Sequence, residues 1–149
     1  TGGCDKLQFL VSANKGEPAK PLSKIASGGE LSRIMLAVKT VLSGMDKIDT
    51  LIFDEVDTGI SGVAANRVGE KLKQVSHNRQ VLCITHLAQI AAMADNHLFI
   101  SKHTEKGRTF TKVEPLDFEG RKQEVARIIS GDAVTELQLK MAEEMLQRP

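Results

Sequence analysis

Two short runs of continuously apolar residues constrain this chain more than any other feature. Thr50-Leu51-Ile52-Phe53 ends in Asp54-Glu55, and Val81-Leu82-Cys83-Ile84 ends in Thr85-His86. An uninterrupted apolar run of that length fits a strand covered on both faces, as in a parallel sheet. Between them, Val63 to Ser76 carries Val68, Leu72 and Val75 at helical spacing. Strand, helix and strand in that order predict a βαβ unit and an α/β class of fold. In such sheets ligands bind beyond the carboxyl ends of the strands, which is where Asp54, Glu55 and His86 fall.

The remaining chain adds to this core. Lys6 to Ala13 alternates, with Leu7, Phe9 and Val11 on one side, and reads as a half-buried strand. Asn14 to Pro18 is turn chemistry, and Pro21 is expected to keep its segment out of regular structure. A helix is predicted from Gly28, with Ser27 as N-cap and Glu30 completing a capping box. Its apolar stripe is Leu31, Ile34, Met35, Val38 and Leu42, and Gly44 closes it. After a short helix over Leu87 to Ala94, Asn96–His103 and Arg108–Pro115 read as a hairpin around Glu105-Lys106-Gly107. Two helices follow, Glu119 to Ser130 stopped by Gly131, and Val134 to Gln147.

Composition excludes several classes. The chain has 149 residues, 41% of them hydrophobic, which suffices for one sizeable core. Twenty Lys and Arg against 19 Asp and Glu leave a net charge of +1, so no strongly basic nucleic-acid footprint exists in the totals. The local candidate with most basic residues, Lys102 to Arg127, holds seven Lys/Arg against five acidic residues and reads as a solvated face. Aromatic residues are 3%, all Phe, which argues against base-stacking platforms. Cys4 and Cys83 lie far apart and form no metal-binding pair, which suits a reducing cytoplasm. No apolar run approaches the ~20 residues of a membrane span, and no membrane partner is expected. Thr1-Gly2-Gly3 has the look of a cut or appended end.

Adjacent carboxylates on an extended chain point in different directions and can do different work. One can hold Mg²⁺, usually through water, while the other orients or deprotonates an attacking water. A histidine at the neighbouring strand end can donate to a terminal phosphate. Ser27-Gly28-Gly29-Glu30, at a helix N-terminus, offers backbone amides and a positive dipole end to an anion, with two glycines allowing close approach. Alone, each of these is commonly a loop start or a helix cap. In this order on a strand–helix pattern, they are the parts of nucleoside triphosphate hydrolysis.

Lys24 to Arg33 resembles the signature motif of ABC-type ATPases, and Leu51-Ile52-Phe53-Asp54-Glu55 is similar to their Walker B strand. Val56 to Ser61 stands where their D-loop does, and His86 where their switch histidine does. Ala26-Ser27 replaces the usual Leu-Ser opening, Glu30 replaces the Gln of transporters, and Gly59-Ile60-Ser61 replaces the usual D-loop ending. These departures point away from transporters and toward the SMC-like group that acts in bacterial DNA double-strand-break repair, which nearly the whole chain resembles.

The resemblance implies an ATPase using ATP and Mg²⁺. It gives Glu55 and His86 the catalytic roles, and Asp54 the metal, through water. Ser27, Gly28, Gly29 and Glu30 would bind the ATP of a partner head, with Asp57 and Ser61 at the seam. The phosphate-binding run Gly-x-x-x-x-Gly-Lys-Ser/Thr does not occur in these residues. Residues 1–149 are therefore expected to be the C-terminal half of a split head, inactive alone and completed by an N-terminal P-loop half. The implied partners are that half, a second head (a homodimer), DNA and a recombinase, in a cytoplasmic, nucleoid-associated setting. A transporter-type ATPase piece, a docking module without hydrolysis and a stand-alone metal hydrolase are the competing readings.

Overall fold

The computed structural model describes residues 2–4, 6–12, 15–24, 27–42, 45, 47–131 and 133–147. Ala13, Asn14, Ile25, Ala26 and Gly44, on which parts of the reading above fall, lie outside the described residues. Strands β3 (Thr50–Phe53) and β4 (Gln80–Cys83) pair in parallel, Leu51 opposite Val81 and Phe53 opposite Cys83. Helix α2 (Gly62–Ser76) makes the crossover and buries Ala65, Gly69, Leu72 and Val75. The βαβ unit is as predicted.

The alternation of apolar residues decides which face of the strands is covered. Leu51 and Phe53 are buried with Val56, Leu72, Val75, Ile90 and Leu36 in one core. On the opposite face Ile52 is 68% exposed, Leu82 41% and Ile84 54%. The continuous apolar runs anticipate cover on both faces; the described residues cover one. Helix α3 (Ala88–Ala92) joins the two halves of the molecule. Its Ile90 enters the first core, while Ala88, Ala91 and Ala92 pack with Val125, Ala126 and Ala142 of α4 (Phe118–Ser130) and α5 (Glu136–Leu146). Small residues on all three helices let the backbones approach closely.

Helix α1 (Gly28–Val41) has the predicted N-cap, Ser27, whose Oγ accepts from the Glu30 N–H at 3.4 Å, one half of the expected capping box. The face it buries is not the predicted one. Gly29 and Leu36 are buried and Arg33 and Thr40 line the same side, whereas Leu31, Met35, Val38 and Leu42 are exposed. The two stripes differ by two positions, about 200° round a helix of 3.6 residues per turn. The more apolar face of α1 is thus turned away from its own chain.

The hairpin also matches expectation. Strands β5 (Leu98–Glu105) and β6 (Arg108–Pro115) pair from Leu98 opposite Pro115 to Glu105 opposite Arg108. Lys106 and Gly107 make the turn at positive φ, the conformation a two-residue hairpin loop requires. The N-terminal segment departs from it. The eight-residue strand reduces to β1 (Leu10–Val11), and Pro21, expected outside regular structure, lies in β2 (Lys20–Pro21) opposite Leu10. The missing proline N–H is tolerated at an edge, and Leu22 N–H donates to Phe9 O at 2.9 Å. Leu7, Phe9 and Leu10 remain exposed, because no layer of the described residues lies over them.

Candidate functional site

The site is built at the carboxyl ends of β3 and β4. Immediately after Phe53 the chain turns: Glu55 has a left-handed φ of 59°, and the Thr58 N–H closes the turn onto Glu55 O at 3.0 Å. A non-glycine residue in that region costs about 1–3 kcal/mol and persists only where its surroundings hold it. Here they do. Ser32 Oγ donates to Asp54 O at 2.8 Å, and Arg33 Nη1 donates to Thr58 O at 2.8 Å and to Val56 O at 3.2 Å. Val56 is fully buried and anchors the loop in the core.

Asp57 is 2% exposed and turned inward. Its Oδ2 accepts from Thr85 Oγ1 at 2.7 Å and from the His86 N–H at 2.9 Å, and lies 3.1 Å from His86 Nδ1. The buried carboxylate therefore orients the imidazole, whose side chain is otherwise 72% exposed, through Nδ1 and leaves Nε2 for the site. Thr85 Oγ1 also accepts from the Leu87 N–H at 3.1 Å, setting the turn into α3.

The glycines of Ser27-Gly28-Gly29-Glu30 have intrachain reasons as well. A Cβ on Gly29, which is buried, would sit 2.9 Å from Thr58 O and 3.0 Å from both Glu55 O and Arg33 Nη1. A Cβ on Gly28 would collide with the Glu55 carboxylate, whose Cδ would be 3.5 Å away. Glu55 thus lies over the N-terminus of α1, a favourable place for a negative charge. The structure brings Ser27, Gly28 and Gly29 together with Asp54, Glu55, Asp57 and His86. Glu30 and Ser61 are exposed, and Ser61 N-caps α2 by position, without a side-chain capping bond.

Asp54 is exposed at the end of β3, and no group of three His, Cys, Asp or Glu side chains suited to a metal gathers among the described residues. A single carboxylate at this edge fits Mg²⁺, which takes one or two carboxylates plus substrate phosphates rather than an all-protein cage. Cys83, on the last residue of β4, is no nucleophile. Burial pushes its thiol up to about 12, with Asp57 and Asp54 adding to the effect. Three residues of the site had no role in the sequence reading: Ser32, Arg33 and Thr85. The spacing of Gly29 and Arg33, four apart and so on one helical face, is the signal that finds Arg33.

No protein-family model matches the chain. It is 52% identical over 146 residues, 98% of its length, to "DNA repair protein RecN" of Bacillus subtilis, and 53% identical over 145 residues to the protein of that name from Treponema pallidum. The chain spans about a quarter, 25%, of those relatives. Among solved structures, one from work on ATP-driven dimerization and DNA-stimulated activation of SMC ATPases matches with a TM-score of 0.55, at 24% identity, over 79% of this chain and 70% of that one. Among the described residues no helix is long and apolar enough to cross a membrane. By sequence over nearly all of its residues, and by a fold shared with SMC ATPases, the chain is a homologue of a C-terminal portion of the RecN proteins.

Proposed function

We propose that this chain is the C-terminal lobe of an SMC-type ATPase head that serves DNA double-strand-break repair and recombination by closing on a second head around ATP. The observation that carries the reading is the convergence at one sheet edge of Asp54, Glu55 and His86 with the N-terminus of α1, all fixed to one loop. In this reading an N-terminal lobe of the same protein supplies the phosphate-binding loop. The open face of Ile52, Leu82 and Ile84 and the exposed stripe of α1 support it, since a two-stranded sheet with such faces is an unfinished core.

Glu55 is the base that orients and deprotonates the attacking water, turning away from Gly28 to reach it. His86, held through Nδ1 by Asp57, presents Nε2 to the terminal phosphate. Asp54 would hold Mg²⁺ through water, and the ion would supply neutralisation of charge on the phosphoryl group. Ser27 and Gly28, at the exposed end of α1, meet the γ-phosphate held by the partner head, and Ser61 lies at the seam. Asp57 acts at that seam through its hold on His86. DNA and a recombinase are the partners that the resemblance implies.

The test is Ser27→Arg in the full-length protein, which places a bulky cation at the end of α1. ATP binding by a single head is expected to survive while ATP-dependent association is lost in sedimentation. ATP-dependent dimers of normal affinity in that variant would remove Ser27 from the contact between heads.

A further inference from the structure

We infer that Arg33 is a positioning residue for the hydrolytic loop, so that α1 and the loop carrying Asp54 and Glu55 move as one body. The inference rests on the proposed role of Glu55 as base. Its observations are independent of that role. The first two turns of α1 make the polar contacts that reach the loop backbone: Ser32 to Asp54 O, and Arg33 to Val56 O and Thr58 O. Gly29 adds a close approach that leaves no room for a Cβ between helix and loop. The guanidinium is a planar, preorganised donor, and here one of its nitrogens spans two carbonyls on either side of Asp57. Asp57 passes the constraint on to His86. The loop itself has a left-handed residue at Glu55, a conformation that relaxes once its carbonyls are released.

The consequence is mechanical. Any movement of α1 as its N-terminus closes on a partner's phosphate is transmitted through Arg33 to Glu55 and His86 of its own site. Engagement of one site thereby sets the geometry of the other. A residue that served only to hold the fold together would not tie turnover to Glu55 in this way.

The experiment compares Arg33→Ala, Arg33→Lys, Glu55→Gln and the Arg33→Ala/Glu55→Gln pair in the full-length protein. Arg33→Ala is expected to keep ATP-dependent association and a KM within about threefold, while kcat falls roughly tenfold or more, the scale of misplaced catalytic groups. Arg33→Lys, which retains donors, is expected to recover much of that loss. The pair is expected to be no slower than Glu55→Gln alone within about twofold, because no base remains to be positioned. An unchanged kcat in Arg33→Ala, or its full loss repeated on top of Glu55→Gln, overturns the inference. Wild-type turnover in Glu55→Gln alone instead overturns the assignment of the base, and this inference with it. If Arg33→Ala does not fold, Arg33→Met, which keeps the length of the side chain without its donors, takes its place, and a normal kcat in Arg33→Met overturns the inference.

Discussion

Asp57 is a buried carboxylate on which Thr85 and His86, just past the end of β4, both lean. Replacing it by Ala removes the acceptor of two part-buried bonds, from the Thr85 hydroxyl and the His86 N–H, a loss of about 0.5–1.5 kcal/mol each. Asp57→Ala in the full-length protein is therefore expected to lower the urea midpoint and to free the His86 ring, read as a loss of turnover with ATP binding retained. Gly29→Ala is expected to destabilise by about 1–3 kcal/mol, since its methyl meets backbone oxygens that cannot move independently. Cys83 supplies a pH-dependent check. Its thiol is raised from 9.0 to about 12, so the folded state holds the proton more tightly than the unfolded one. Stability is unaffected by this group below pH 9 and falls as pH rises toward about 12. At pH 8 a thiol reagent is expected to label exposed Cys4 and to spare Cys83 until the chain unfolds.

At the scale of elements, the βαβ unit and the hairpin were legible because their signals are local. Leu51 and Phe53 announce a buried strand, and Lys106-Gly107 between alternating runs announces a turn. Helix α1 was legible in its cap and its extent but not in its orientation. Periodicity reports that Leu31, Met35, Val38 and Leu42 form a face; it does not report what the face meets. The inward face is chosen instead by Gly29, which admits the loop, and by Arg33, which holds it, neither of them apolar in bulk. The same limit explains Leu7 and Phe9, which alternate with Val11 like a half-buried strand yet are exposed, with no layer of the described residues over them. On the open face of β3, Ile52→Lys should discriminate. If another lobe covers Ile52 in the full-length protein, the loss is about 1.5–3 kcal/mol of unfolding free energy; an unchanged melting curve would place that face in water.

For the whole molecule, near-neutral charge and scarce aromatics leave no strongly basic or base-stacking footprint in the totals, so under the proposed function contacts to DNA would fall to a local patch, a further lobe or the assembled heads. What this chain contributes to the proposed site is one loop, tied to the first turns of α1 and, by Asp57, to His86. The relevant residues were readable as motifs; their mutual support was not, because bonds such as Arg33 to Thr58 join positions that sequence spacing does not relate. The most direct test of this lobe's role is single-turnover ATP hydrolysis together with sedimentation of full-length Glu55→Gln. The expected result is ATP-dependent association that persists while hydrolysis falls by about 10²-fold or more, within the range general-base catalysis supplies. Hydrolysis at the wild-type rate, with heads that separate as usual, would contradict it.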